Sequence, residues 1–441
     1  MSRDGLISAR IAGITDVIVI GAGHAGLATS YLLTRERVAH VVLERGEVAN
    51  AWRERSWDSL KLLTPNWQTQ LPGFEYTGDN PFGFMDMDEL VALLEDYATQ
   101  AEVPVHTRTN VTAVRKDGAI YRVTTNRGEW RAKAVVLASG ACNLPTVPRV
   151  AADVPAHIKQ LTPLDYCSPQ QLEAGGVLIV GASATGMQFA DEISKAGYDV
   201  TIATGEHVRM PRRYRGRDIL DWMDRCGILG ESYDEIEDLA RGRRLPSSQL
   251  VGSNDKDILD LNSLREQGVR IAGRLMGINN GTAQFSGSLR NVCALADLKM
   301  QRLLGAIDDF VADQTDVPPA ETFAVTQVDE SPLLLADLNR DDIKTIIWAT
   351  GFRPDYSWLD MPVLDRKGNI QHDGGVVEAA GLYVLGLPLM RARKSSFIFG
   401  INDDARYITS HLTNYLRTQT RNESHVVYQD DSSRTGFRRS A

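Results

Sequence analysis

From Asp16 to Ile20 the chain is apolar and β-branched, and the run ends in "GAGHAG", residues 21–26. A helical period from about Ala25 to Thr34 and a second apolar run, "HVVLE" (40–44), complete a strand–turn–helix–strand pattern. The same order returns at 176–204, "GVLIVGASATGMQFADEISKAGYDVTIAT". Each stretch has the length of one βαβ nucleotide-binding unit, about thirty residues. Two further apolar runs end in small residues and glycine, "AVVLASG" (134–140) and "TIIWATG" (345–351), and both read as buried strands feeding a tight turn. Their likeness predicts one domain entered before residue 140 and re-entered near 345, with the second glycine unit inserted. The expected fold is α/β, with two Rossmann-like dinucleotide-binding domains of which the first is discontinuous.

Polar, proline-marked junctions at 162–176 and 313–323 divide the chain further, Pro318 and Pro319 breaking any helix in the latter. The resulting division is 1–167 for the first part of one domain, 168–339 for the inserted one and 340–417 for the return. Residues 418–441 are polar and mixed in charge, and are expected to form a disordered tail.

The 441 residues are 43% hydrophobic and 24% charged, the composition of an ordinary globular protein. A net charge of −9 speaks against nucleic acid or an anionic membrane as partner. Cys142, Cys167, Cys226 and Cys293 have no CxxC or CxxxxC spacing, which disfavours a redox dithiol and a compact zinc site, so no metal is expected. The N-terminal residues run from a polar arm into a strand rather than an apolar leader, and no apolar run approaches the ~20 residues of a membrane span. A cytoplasmic location is the expectation.

The chemistry lies in the glycine turns. In a GxGxxG turn the first glycine bends, the second lets backbone approach a pyrophosphate and the third lets helix pack on strand. These are Gly21, Gly23 and Gly26, and Glu44, 23 positions after Gly21, is placed to accept hydrogen bonds from a ribose 2′-hydroxyl. That carboxylate would repel a 2′-phosphate, so the first unit should hold FAD or NAD rather than NADP. An incidental surface glutamate is the alternative. In the second turn, Gly181, Ser183, Thr185 and Gly186 of "GASATG", the same count reaches Thr204 and no acid. Just beyond comes "RMPRRYRGR" (209–217), five arginines in nine residues, of which Arg209, Arg212 and Arg213 are candidates for a 2′-phosphate and hence for NADPH. A solvated basic loop is the competing reading. Two nucleotide sites of opposite preference imply hydride transfer from NADPH to a held flavin.

In "GAGHAG", "LERGEVANAWRERSWDSLKLLTPNW", "GASATG", "PRRYRGRDI" and "WATGFRPD", taken in order and spacing from about Thr15 to Leu416, the sequence resembles the bacterial flavin-containing monooxygenase-like flavoproteins. These are relatives of the YUCCA-type enzymes and Baeyer–Villiger monooxygenases. The resemblance implies an FAD domain built from both chain ends with an inserted NADP domain. It also implies that Trp52 and Arg53 join Gly21, Gly23, Gly26 and Glu44 around FAD, with Ser139, Gly140, Thr350 and Gly351 at strand ends near the same cofactor. Ordinary core packing is the expectation for Trp57. The family fingerprint FxGxxxHxxx followed by an aromatic is largely lost. In register with Tyr166 its His, Gly and Phe positions hold Thr162, Ile158 and Ala156, with His157 out of register.

The implied activity is NADPH reduction of FAD followed by oxygenation of a nitrogen, sulfur or carbonyl centre of a small substrate by a flavin hydroperoxide. Molecular oxygen is the other partner. The rivals are a reductase or oxidase without oxygen insertion and a non-catalytic FAD/NADP sensor. Thr64, Asn66 and Trp67 of "LLTPNW" are candidates to approach the flavin face, with turn and packing roles as alternatives. Thr162 is the remaining catalytic candidate. Arg391, Arg393 and Lys394 could meet an anionic substrate or form a surface cluster.

Overall fold

A computed structural model describes residues 11–434 except 254, 256, 257 and 341. Along the first part of the chain run β1 (Ile11–Ile20), α1 (His24–Arg35), β2 (His40–Leu43), α2 (Met87–Gln100), β3 (Val105–His106), β4 (Val111–Asp117), β5 (Ile120–Thr125) and β6 (Gly128–Leu137). Then follow β7 (Lys159–Leu161), β8 (Gly176–Val180), α3 (Ala184–Lys195), β9 (Val200–Thr204), β10 (Arg270–Gly273), α4 (Leu289–Val311), β11 (Ile343–Trp348), β12 (Leu382–Val384) and α5 (Ile401–Arg434).

They form two main sheets. The first has nine strands, with the order β12–β6–β1–β2–β3 parallel at its centre and the antiparallel β4–β5 pair added along β6. The second is the five-stranded parallel sheet β7–β11–β8–β9–β10. Parallel strands covered on both faces must be apolar throughout, and both central strands are. Along β1, Val17 and Val19 enter one core with α1 and α5, while Ile18 and Ile20 enter another with Tyr121 and Trp130. Along β8, Val177 and Ile179 pack with α3 on one side, and Leu178 and Val180 with Trp348 and Phe285 on the other.

Two expectations need correction. "TIIWATG" does not re-enter the first sheet: its strand, β11, pairs with β8, Val180 opposite Trp348. Because β7 and β11 both belong to the second sheet, the chain changes sheet near residues 158 and 349 rather than at 168 and 340. The two similar runs are alike because each serves its own unit: β6 lies beside β1 as β11 lies beside β8. The polar segment after Arg417 is helical to Arg434 as the continuation of α5, no proline or glycine interrupting it before Gly436. Residues 435–441 of the expected tail lie outside the described residues.

The units are tied along a seam that is buried at one side. Trp57, which follows the first unit, sits in the core of the second with its ring edge-on to Phe189 at 4.8 Å. On the far side, Glu231 pairs with Arg393 and the Tyr233 hydroxyl donates to Asp373 at 2.5 Å. No helix among the described residues is long and apolar enough to cross a membrane.

Candidate functional site

The two glycine turns are built to one plan. Gly21 has φ +107°, and a Cβ there would meet the Ala138 carbonyl oxygen at 2.5 Å; Gly181 has φ +114° and the Ala349 oxygen at 2.3 Å. A Cβ at Gly26 would lie 1.9 Å from the Gly21 oxygen, and one at Gly186 1.9 Å from the Gly181 oxygen. The third glycine in each turn therefore lets helix meet strand. Gly23 differs, because a Cβ there meets nothing within 4 Å. Its only requirement for smallness comes from what approaches the turn. Ser183 shares its extended backbone, φ −83° and ψ −176° against −81° and −178°, so its side chain costs no strain and stands in the open space before the turn. Thr185 lies in the first turn of α3. Neither α1 nor α3 has a side-chain cap, which leaves first-turn N–H groups and the positive helix ends facing that space.

In the first cradle Glu44 is buried, accepting from the Ala22 N–H at 2.7 Å and the Gly46 N–H at 3.1 Å. The carboxylate is thus fixed against the glycine turn. Ser139 and Gly140 (φ +83°) follow β6 beside it, and Asn143 donates to the Ser139 oxygen at 2.9 Å. Trp52 packs on the core, its ring 6.5 Å from that of His24. Arg53 pairs with Glu95 of α2 at 2.6 Å. Thr350 and Gly351 follow β11 and belong to the second cradle, where the Thr350 hydroxyl donates to the Thr146 oxygen.

Beside the first cradle runs Thr64–Thr69. Thr64 is buried; Asn66 donates to the Asn80 oxygen at 2.9 Å, but its Oδ1 has no partner. Gln68 and Thr69 are wholly buried, and neither amide atom of Gln68 nor Oγ1 of Thr69 is bonded. Unmet buried polar atoms cost about 1–3 kcal/mol each, so four in one short segment mark a surface shaped for a polar ligand. The burial of Gln68 and Thr69 was not legible in "PNWQTQLPG", where polar residues ordinarily signal an exposed loop. His24 was missed too. Burial takes its imidazole down to about 4, and its Nε2 has no partner.

The arginine loop is sorted by its partners. Arg209 is buried between Asp260 and Asp297, and Arg212 between Asp218, the Leu63 carbonyl (2.7 Å) and the ring of Phe84. Arg215 pairs with Asp308 at 2.7 Å and Arg217 with Asp221 at 3.1 Å. Of the five only Arg213 is exposed with no carboxylate partner among the described residues. Arg209 and Arg212 are thus structural, corrections to the expected phosphate set that arise because acids distant in sequence reach them. Gln249, also missed, is buried, donating to the Ala182 oxygen at 2.8 Å while its Oε1 stays unpaired. Thr162 closes a turn on Asp165, its hydroxyl donating at 2.6 Å. Arg391, Arg393 and Lys394 face Asp404, Glu231 and Asp403, leaving no free cationic cluster for a substrate.

The pyridine nucleotide-disulphide oxidoreductase family matches residues 18–217. A CzcO-like oxidoreductase of Geobacillus kaustophilus is 31% identical over 405 residues, 91% of this chain and 99% of its own length. A probable indole-3-pyruvate monooxygenase of Arabidopsis thaliana, YUCCA8, is 27% identical over 229 residues, 49% of this chain and 53% of its own. A flavin-containing monooxygenase structure from Stenotrophomonas maltophilia shares the fold with TM-score 0.65 at 20% identity, covering 92% of this chain and 99% of that one. With its two glycine cradles and a full-length relative of this similarity, the chain belongs to the CzcO-like oxidoreductases and is similar to flavin-containing monooxygenases.

Proposed function

We propose that the protein is an NADPH-dependent flavoprotein monooxygenase of the cytoplasm, oxygenating a nitrogen, sulfur or carbonyl centre of a small molecule. The observation that carries this reading is the pairing of two like cradles with unlike charge: a buried carboxylate at Glu44, and a second unit whose equivalent position is Thr204. The residues fit FAD in the first and NADPH in the second. Gly21, Gly23, Gly26, Glu44, Trp52, Ser139 and Gly140 would hold FAD, with Gln68 and Thr69 offering the unmatched polar atoms it needs. Gly181, Ser183, Thr185, Gly186, Thr350, Gly351 and Gln249 would hold NADPH. Bound FAD supplies hydride acceptance and oxygen activation.

The chain's own part is positioning and dryness. Arg212, reaching the Leu63 carbonyl and Phe84 from the inserted unit, fastens the two cradles together beside Thr64 and Asn66, and Trp57 with Phe189 seals the seam. Excluding water there protects a reactive cofactor. No acid–base triad is required, which accords with Thr162 serving a turn.

The loss of the FxGxxxH fingerprint supports a second reading, an NADPH-dependent flavoprotein oxidase or reductase. Anaerobic bleaching of the flavin by NADPH, then admission of oxygen with simultaneous recording of oxygen uptake and peroxide release, separates them. A lag of peroxide behind oxygen uptake is the monooxygenase result. Immediate stoichiometric peroxide favours the oxidase, and a flavin that NADPH does not bleach refutes both.

A further inference from the structure

The end of β9 is where a nucleotide-binding unit meets the adenosine ribose, since ligands lie off the carboxyl ends of parallel strands. Thr204 closes β9 and pairs with Gly273, the last residue of β10, so Gly205 and Arg274 leave the sheet side by side. A Cβ on Gly205 would lie 3.9 Å from both Cγ and Cδ of Arg274. Arg274 is exposed, has no carboxylate partner among the described residues, and is fixed at its base by the Ser286 N–H donating to its carbonyl at 2.9 Å. One residue beyond Gly205, two past the position equivalent to Glu44, stands Glu206, a carboxylate near the strand end. Its carboxylate is held by Lys299 of α4 at 3.0 Å.

The helix α4 also shows where Arg213 lies. Lys299 receives Glu206, whereas Asp308, nine residues further along, receives Tyr214 and Arg215, each at 2.7 Å. At 1.5 Å per residue the hairpin carrying Arg213 therefore engages the helix about 13 Å beyond the strand end. Arg274, beside that end, is a cation with no carboxylate partner among the described residues. We propose that Arg274 recognises the 2′-phosphate of NADPH and that Lys299, by holding Glu206, keeps an opposing carboxylate from repelling it. With Glu206 and Lys299 neutralising each other, Arg274 sets the local charge. Arg274 is then the contact residue and Lys299 a positioning residue.

This rests on reading the second unit as an NADPH cradle, and the test separates the two. Binding of 2′-phosphoadenosine 5′-phosphate and of adenosine 5′-phosphate, which differ only in the 2′-phosphate, is measured by calorimetry on the holoprotein. The wild type should prefer the first by about ten- to a hundredfold, the range for one charged hydrogen-bonded pair. Arg274→Ala should abolish most of that preference and leave the unphosphorylated probe unchanged, while Arg213→Ala leaves both. Lys299→Met should weaken only the phosphorylated probe, by about three- to tenfold for one released like charge near the surface, and Lys299→Met with Glu206→Gln should restore it. If the wild type binds both probes equally, the NADPH reading falls and this inference with it. If the wild type discriminates but Arg274→Ala does so equally well, or if Arg213→Ala carries the loss, the inference alone falls. Equal weakening of both probes by Arg274→Ala also overturns it.

Discussion

Arg209 tests whether an arginine belongs to the fold or to the ligand. Its side chain is 3% exposed; its Nε donates to Asp260 at 2.9 Å and its Nη1 to Asp297 at 2.7 Å, the two carboxylates being 3% and 9% exposed. Each acid also holds a neighbouring segment. Asp260 caps the helix Leu261–Glu266 by accepting from Ser263 N–H at 2.9 Å, and Asp297 accepts from both the N–H and the hydroxyl of Thr326 at 2.8 Å. Arg209→Met preserves most of the packing but strands two charges in the interior. Removing one partner of a buried pair costs about 3–5 kcal/mol. At about 2–4 °C per kcal/mol for a unit of 150–250 residues, the inserted unit should melt roughly 6–20 °C earlier. Thermal unfolding followed by circular dichroism measures this. A ratio of NADPH to NADH dissociation constants measured below the transition should equal that of the wild type. Adding Asp260→Asn and Asp297→Asn should recover much of the lost stability, since the stranded charges are then gone. A melting point within about 1 °C of the wild type, or a cofactor ratio shifted several-fold, would refute the structural assignment.

The glycines of the first turn should separate fold from binding. Gly26→Ala, facing backbone oxygen at 1.9 Å, should lower the melting temperature of the flavin-free protein, whereas Gly23→Ala should leave it unchanged and weaken FAD retention on dialysis. Glu44→Ala frees two buried N–H donors at about 1–3 kcal/mol each, so the dissociation constant for FAD, read from flavin fluorescence, should rise more than about tenfold. Acid should destabilise the fold. Burial takes His24 and His372 from 6.5 to about 4, so below the unfolded value the unfolded chain binds protons that the folded one refuses, and melting temperature should fall as pH drops from 7 towards 4. Asp404, pushed up by burial to about 6, acts in the opposite sense, gaining its proton in the folded state first. The double variant His24→Gln, His372→Gln should therefore flatten the pH profile, and Asp404→Asn should steepen it.

What the sequence could announce was local, and what it could not was partnership. The turns were legible because glycine roles are dictated by backbone within a few residues: Gly21 and Gly26 must be small whatever surrounds them. Glu44 was legible because the distance from a glycine turn to the next strand end is nearly constant in such units. The arginine loop failed by the same logic. Five positive charges in nine residues look like an excess, yet Asp218, Asp221, Asp260, Asp297 and Asp308 neutralise four of them, and three of those acids lie more than fifty positions away or on another helix. "TIIWATG" misled for a related reason, since a strand's sequence records how deeply it is buried but not which sheet buries it. On the inference drawn above, a cation outside that loop is a better guide to phosphate than the cluster was. Arg274 lies in no motif, and its place beside Gly205 follows only from β9 and β10 ending level. A cation acts on a ligand by what remains after its neighbours have claimed it. That remainder is a property of the fold, which is why "RMPRRYRGR" pointed to the right chemistry with two of its three candidates already engaged elsewhere.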